Sequence, residues 1–233
     1  MRILLIADVH ANLPALEAVL SEAKTIDKII CLGDLSGYLP YVNEVIESIS
    51  SLNNLVCIKG NHDYVLINED ESTGSMSADY AISLQRKIIK DKNKTYLEGL
   101  PEHSEIIIDG QRYFLFHGSP SEPLNGREKF LEKNNLPAGI YFFGHTHKSV
   151  FKENSNNGWM AINPGSCGFP RDGDNRASYA VFDSTNKKVF FNRVIYSIST
   201  VIEQCKNTGF PEKIWRSLEA GKWISDKTEG GVE

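Results

Sequence analysis

The first sixty residues alternate short apolar runs with helical patterns, and that alternation restricts the fold more than any other feature. Ile3 to Ala7 is a continuous apolar run, the mark of a strand buried on both faces. Asn12-Leu13-Pro14 then opens a helix, with Pro14 near the first helical position and Leu13, Leu16, Leu20 and Ala23 at helical spacing. Lys28 to Leu32 reads as a second strand. A second helix starts at Pro40, with Val42, Val45, Ile46 and Ile49 on one face, and Leu55 to Ile58 reads as a third strand. This β-α-β-α-β order predicts a parallel sheet with right-handed crossovers.

The later chain changes character. Tyr64 to Ser77 is polar and acidic and reads as a loop; Ala78 to Ile89 reads as a helix, and another helical stretch ends near Gly99-Leu100-Pro101. Glu105 to Ile108 and Arg112 to Phe116 flank Asp109-Gly110, a strong hairpin signal. Further strands are predicted at Ile140 to Phe143, Trp159 to Asn163, Ser178 to Phe182 and Val189 to Tyr196. A mostly parallel half followed by a mostly antiparallel half predicts an α/β fold of two sheets packed face to face, with helices outside. The expected organisation is a single domain over residues 1–233: a core to 196, a helical segment at 197–224 broken near Gly209-Phe210-Pro211, and a frayed tail at 225–233.

Five polar clusters each stand at the C-terminal end of a predicted strand: Asp8-Val9-His10, Gly33-Asp34, Gly60-Asn61-His62-Asp63, His117-Gly118 and Gly144-His145-Thr146-His147. Such strand ends are where open α/β sheets build ligand sites. Each cluster alone has an ordinary reading as a cap, turn or structural histidine. Together they hold five of the six histidines, with only His103 outside. Imidazole, carboxylate and amide oxygen in one set suit a transition metal. The groups are too many for one tetrahedral zinc, so two adjacent ions sharing a carboxylate are expected.

Composition narrows the partners. Net charge is −5, from 25 basic and 30 acidic residues, and no basic stripe is visible, which argues against long nucleic acid. The apolar N-terminal run is too short for a signal segment, and no stretch reaches the length of a membrane span. The four cysteines are scattered without CxxC spacing, which fits a reducing cytoplasm. A homo-oligomer is compatible with the sequence.

The order DVH, GD, GNHD, HG, GHTH resembles the calcineurin-like metallophosphoesterases, from Asp8 to about Asp183. The longer text DVHANLPALEAVL, GDLSGY, HGSP and NPGSCGFPRDG is similar to the small prokaryotic branch of phosphodiesterase or diadenosine tetraphosphatase-like enzymes. The resemblance implies a four-layer sandwich of two mixed sheets flanked by helices. It also implies two divalent transition-metal ions, manganese first, with iron, zinc, nickel or cobalt as alternatives. Asp8, His10 and His147 would hold one ion, and Asn61, His117 and His145 the other. Asp34 would bridge both, and His62 would protonate the leaving group. Asp63 would bond His62 or anchor the turn. The expected chemistry is hydrolysis of small phosphodiesters or dinucleoside polyphosphates by a metal-bridging hydroxide, the two ions ~4 Å apart.

The partner is then a small phosphorylated molecule, nucleotides included. Gly33-Asp34-Leu35-Ser36-Gly37-Tyr38 lacks the arginine that follows this motif in protein phosphatases of the superfamily. Arg171 in the glycine-rich NPGSCGFPR segment is a candidate substitute, with its neighbours' N–H groups also facing an anion. Asn12 and Tyr38 are further candidate substrate contacts. A phosphomonoesterase or protein phosphatase, and a non-catalytic metal-binding scaffold of the same fold, are the alternatives.

Overall fold

The computed structural model describes residues 1–133 and 136–224. In chain order the elements are β1 (Arg2–Ile6), α1 (Leu13–Glu22), β2 (Lys28–Cys31), α2 (Val42–Ser50), β3 (Leu55–Cys57), α3 (Asn61–Ile67), α4 (Met76–Arg86) and α5 (Asp91–Gly99). They continue with β4 (His103–Ile108), β5 (Gln111–Phe116), a 3₁₀ segment Glu128–Lys133, β6 (Gly139–Phe142), β7 (Ser149–Asn154) and β8 (Trp159–Pro164). The last are β9 (Ala177–Asp183), β10 (Lys188–Val194), α6 (Ile198–Asn207) and α7 (Glu212–Ala220).

Two five-stranded mixed sheets result, in the orders β10-β9-β1-β2-β3 and β4-β5-β6-β8-β7. In the first, β1, β2 and β3 run parallel and β9 pairs antiparallel with β1, Ile3 opposite Phe182. In the second, β5, β6 and β8 run parallel and β4 and β7 close the edges antiparallel. The parallel ladders place five of their strand ends at one rim, and that rim carries the polar clusters.

Strand β1 shows why the sheets stack. Its odd residues Ile3 and Leu5 lie between the sheets with Ile30, Leu115, Phe142, Ile162 and Phe182. Its even residues Leu4 and Ile6 face the helical layer with Leu16, Val19, Val45, Ile46 and Ile49. The period of two sends alternate side chains to opposite faces, so both must be apolar. Truncating a residue so placed, as in Leu5→Ala, removes about 2–5 kcal/mol. A third cluster on the outer face of the second sheet joins Phe116, Tyr141, Phe143 and Trp159 to Leu131 of the 3₁₀ segment.

Several expectations are corrected. Tyr64 to Ile67 is helical rather than loop, because α3 begins at Asn61 and Asp63 caps it by accepting from Gly60 N at 3.0 Å. Strand β7 was not expected: it is an edge strand whose residues are half-buried or exposed, so it has no apolar run to betray it. Helix α4 starts two residues before Ala78 and stops at Arg86 rather than Ile89. The tail expected at 225–233 lies outside the described residues. Among the described residues, no helix is long and apolar enough to cross a membrane.

Candidate metal centre

All seven residues expected to hold metal meet at the rim of the two sheets. Asp8, His10 and His147 offer ligand atoms within 4.8 Å of one another, as do Asp8, Asp34 and His117, and His10, Asp34 and His62. Asn61 Oδ1 lies 3.1 Å from His145 Nδ1, and the His145 ring is 5.2 Å from that of His117. Asp34 Oδ2 stands between the two groups, 3.6 Å from His10 Nε2 and 3.2 Å from His117 Nε2.

The backbone holds these groups in unusual conformations. Asp8, His10, Asp34, His145 and His147 all have positive φ, between 48° and 68°. Non-glycine residues adopt this region rarely, and at a cost of about 1–3 kcal/mol each where neighbours enforce it. Here the enforcement is visible. His10 N donates to Asp34 O at 2.9 Å, Asp8 N to Gly33 O at 3.1 Å, and Cys167 N and Gly168 N reach the carbonyls of Ala7 and Asp8 at 2.8 and 3.0 Å. Gly60 is required for closeness: a Cβ there would lie 2.1 Å from Asp34 Oδ1.

Hydrogen bonds set the imidazole tautomers. Nδ1 of His10 faces Ser36 O at 3.0 Å, Nδ1 of His117 faces Leu32 O at 2.7 Å, and Nδ1 of His147 bonds Phe169 O. A carbonyl only accepts, so each Nδ1 carries a proton, and the neutral ring presents its lone pair at Nε2. This is the arrangement that metal-ligating histidines adopt. His10 Nε2 and His147 Nε2 then face each other at 3.0 Å, two lone pairs in contact. A cation against both removes that repulsion. The buried Asp8 Oδ2, Asp34 Oδ2 and His117 Nε2 have no hydrogen-bond partner, which in an interior is costly unless an ion satisfies them. The residues therefore fit divalent metal.

Electrostatics agree. Burial drives the His10 and His147 pKa values well below the usual imidazole range and lowers that of His145 to about 3, so these rings stay neutral donors. Burial also raises Asp8 to about 7, with help from Asp34 and against the pull of His117. At His117 burial opposes the charge, but Asp34 and Asp8 outweigh it and push the ring up to about 10. The second proton of His117 sits on Nε2, 3.2 Å from Asp34 Oδ2, and a bound ion would take its place there. Burial likewise opposes charge on Asp34, yet His117, His62 and His10 hold its carboxyl well below the ordinary range.

His62 sits at the start of α3, its N–H donating to Asp34 Oδ1 at 2.8 Å. Its ring lies 4.7 Å from His10 and 4.7 Å from Tyr38, and its buried Nδ1 has no partner. Burial lowers its pKa to about 4, Asp34 opposing and Arg171 reinforcing. Asp63 anchors the turn rather than bonding His62: it accepts from Leu35 N, Ser36 N, Ser36 Oγ and Gly60 N at 2.8–3.2 Å. Burial and the nearby Asp34 raise its pKa to about 6.

The three candidate substrate contacts fall in different places. Arg171 lies beside the centre, its Nη2 donating to Tyr38 Oη at 2.6 Å and its buried Nε unpartnered. Tyr38 stacks on Phe169 at 4.6 Å and touches the His10 ring edge at 4.6 Å. Asn12 is placed behind the site: it caps α1 through Ala15 N and donates to Gly168 O and Tyr196 Oη. Four N–H groups of the NPGSCGFPR segment are likewise spent within the chain. Those of Gly165, Cys167, Gly168 and Phe169 go to Asn163 Oδ1, Ala7 O, Asp8 O and Ser166 Oγ. Sequence reading missed Trp223, whose ring lies 5.1 Å from the Arg171 guanidinium carbon, and no local signal marks it.

The fold and this cluster agree with what the chain resembles. Residues 1–187 match the calcineurin-like phosphoesterase superfamily domain, and the chain belongs to that superfamily. An uncharacterized protein of Methanocaldococcus jannaschii is 34% identical over 245 residues, covering 94% of this chain and 98% of the relative. The crystal structure of a metallophosphoesterase from Sphaerobacter thermophilus is 35% identical with a TM-score of 0.82, covering 95% of this chain and 99% of that one. A Pyrococcus horikoshii OT3 structure shares the fold at 22% identity, TM-score 0.85, covering 96% and 99% of the two chains. Membership supports a hydrolase, and the clustered Asp and His residues are its candidate metal ligands.

Proposed function

We propose that this protein is a dinuclear-metal hydrolase of small phosphodiesters or dinucleoside polyphosphates. The observation that carries the reading is the set of three imidazoles whose Nδ1 protons are committed to carbonyls while their Nε2 lone pairs converge on Asp8 and Asp34. Asp8, His10 and His147 would hold one ion, Asn61, His117 and His145 the second, with Asp34 shared. Bound there, divalent ions supply a nucleophilic water at neutral pH and offset phosphoryl charge.

The remaining work falls to the chain. Arg171 presents its unpartnered Nε toward an anion, and Tyr38 fixes its guanidinium through the hydroxyl. His62 holds a proton for the leaving oxygen. Burial keeps its ring mostly neutral beforehand, so an entering phosphate must favour the imidazolium by its own charge. The acid is thereby armed by substrate. Helix α3 and the Asp63-anchored turn keep His62 next to the shared carboxylate, the position a leaving group must pass.

A hydrolysis panel with Mn²⁺ tests this: bis-p-nitrophenyl phosphate, p-nitrophenyl phosphate, diadenosine tetraphosphate, cyclic nucleotides and a phosphopeptide. Diesters and the dinucleotide are expected to turn over fastest. A tenfold or greater preference for the monoester or phosphopeptide refutes the substrate reading. Inertness towards every compound with two ions bound makes the chain a scaffold.

A further inference from the structure

Helix α4 buries Ala78, Ala81, Ile82 and Gln85, positions that the helical period sets on one face. The first three are apolar, and the fourth is an amide buried completely. A buried amide is costly unless its donors and acceptor are matched. Gln85 matches them on a single turn of chain. Its Oε1 accepts from Gly37 N at 3.0 Å, and its Nε2 donates to Gly37 O and, at 2.6 Å, to Leu39 O. The next residue, Arg86, donates from Nε to Leu66 O at 3.2 Å, and from Nη2 to Val65 O and, at 3.1 Å, to Asn68 O. Those carbonyls stand at the C-terminal end of α3, where a helix leaves its own carbonyls without partners.

The two grips meet at His62. Helix α3 carries it in the first turn, and the turn held by Gln85 packs on its ring. A Cβ on Gly37 would lie 2.7 Å from His62 Nδ1, and the Tyr38 ring is 4.7 Å from the imidazole. The other imidazoles of the centre are anchored through Nδ1: those of His10, His117 and His147 to carbonyls, and that of His145 to Asn61 Oδ1. His62 Nδ1 is buried and has no such partner. The direction of its ring is therefore set by packing against Gly37, Tyr38 and His10.

We propose that Gln85 is a positioning residue for His62, holding the Gly37–Leu39 turn so that the imidazole stays aimed at the leaving oxygen. This rests on the hydrolase reading above, with His62 as its acid, and it places part of the acid's geometry in α4, outside the five polar clusters.

Gln85→Met tests it. The variant keeps the side-chain length and strands Gly37 N, Gly37 O and Leu39 O, so the turn must shift to pair them again. With Mn²⁺ bound, kcat for an alkyl phosphodiester should fall roughly 10–100-fold, approaching the scale of a misplacement of about 1 Å, and kcat for bis-p-nitrophenyl phosphate should fall less. Metal content should hold, and kcat should fall by more than KM rises. Added to His62→Ala, Gln85→Met should cost less than about threefold more, because the ring it aims is gone. In the zinc-loaded full chain, which is diamagnetic, nuclear Overhauser contacts between the His62 and Tyr38 rings read the aim without activity, and Gln85→Met should weaken them. Asn93→Leu removes another buried amide, between α2 and α5, and should lose stability with neither the leaving-group gradient nor the weakened contacts. Should Gln85→Met fail to fold, Gln85→Glu keeps the volume and the acceptor but has no N–H for the two carbonyls, and the same losses are expected of it. Unchanged ring contacts, equal losses for both leaving groups, or full additivity with His62→Ala overturns the role of Gln85. Weakened contacts in a chain that hydrolyses nothing with two ions bound uphold Gln85 and refute the hydrolase.

Discussion

Gly37→Ala should damage the centre without touching a ligand. Gly37 has φ +120°, and an added Cβ would lie 2.6 Å from His10 Nδ1 and 2.7 Å from His62 Nδ1. Favourable carbon contacts are near ~3.5–4.0 Å, so each ring must retreat by about 1 Å. His10 cannot retreat freely, because its Nδ1 is bonded to Ser36 O at 3.0 Å. A displacement of about 1 Å at a reacting centre costs roughly 10²-fold in rate. The backbone conformation adds about 1–3 kcal/mol of destabilisation. Gly74→Ala separates the two effects, since Gly74 also has positive φ, +79°, but nothing lies within 4 Å of its Cβ position. Urea melts, elemental analysis and kcat/KM for bis-p-nitrophenyl phosphate should show Gly74→Ala losing stability alone. Gly37→Ala should lose metal and about 100-fold in rate as well. A Gly37→Ala protein with full metal content and wild-type rate would sink the argument that these rings are packed to a fixed distance.

Exhaustive chelation should abolish hydrolysis yet leave the far-UV dichroism, because the three apolar clusters do not include the ligands; each ion at 100 times its Kd should raise stability by about 2.7 kcal/mol, read as Tm against metal concentration. Full activity in metal-free protein refutes the centre. Asp34→Asn should empty both positions by more than the roughly 10–100-fold typical of outer partners, checked by equilibrium dialysis; one fully occupied position would show that Asp34 is not shared. His62→Ala should retain both ions and lose roughly 10²–10⁴ in kcat, least for p-nitrophenolate and most for alkoxide leaving groups. Equal losses for all leaving groups would remove the acid role.

The strands were legible where burial is two-sided. β1 shows as an unbroken apolar run because both faces need it, and β3 does so at a sheet edge because Leu55 and Cys57 pack on one face and Val56 on the other, while β7 has residues half-buried or exposed and shows nothing. The seven clustered residues were legible because each stands directly behind a strand, and a parallel sheet carries such ends to one rim. Asn61-His62-Asp63 reads from its residue types as a turn, yet it opens α3; the capping bond from Gly60 N to Asp63 decides this, and that bond is not a composition signal. Asn12 and the amides of Cys167 and Gly168 have the chemistry of substrate contacts, but their hydrogen bonds are spent on partners distant in sequence, 156 residues away for Asn12 and Gly168. Trp223 is ordinary in its own surroundings and acquires meaning only where the chain folds back onto Arg171.

The pairing of Ile3 with Phe182 has a consequence for how the protein is made. At about 5–20 residues per second, β1 leaves the ribosome on the order of ten to forty seconds before β9 follows. During that interval β1, β2 and β3 can associate, but the other edge of β1 is bare, an apolar edge of the kind that captures stray strands. The turn bearing Asp8 and His10 is equally unfinished, since the amides of Cys167 and Gly168 that brace it have yet to be synthesised or have only just emerged. Until β9 arrives, that edge of β1 has no strand beside it. Completion of the metal centre is a late event in biogenesis, timed by the arrival of the strand that closes the first sheet.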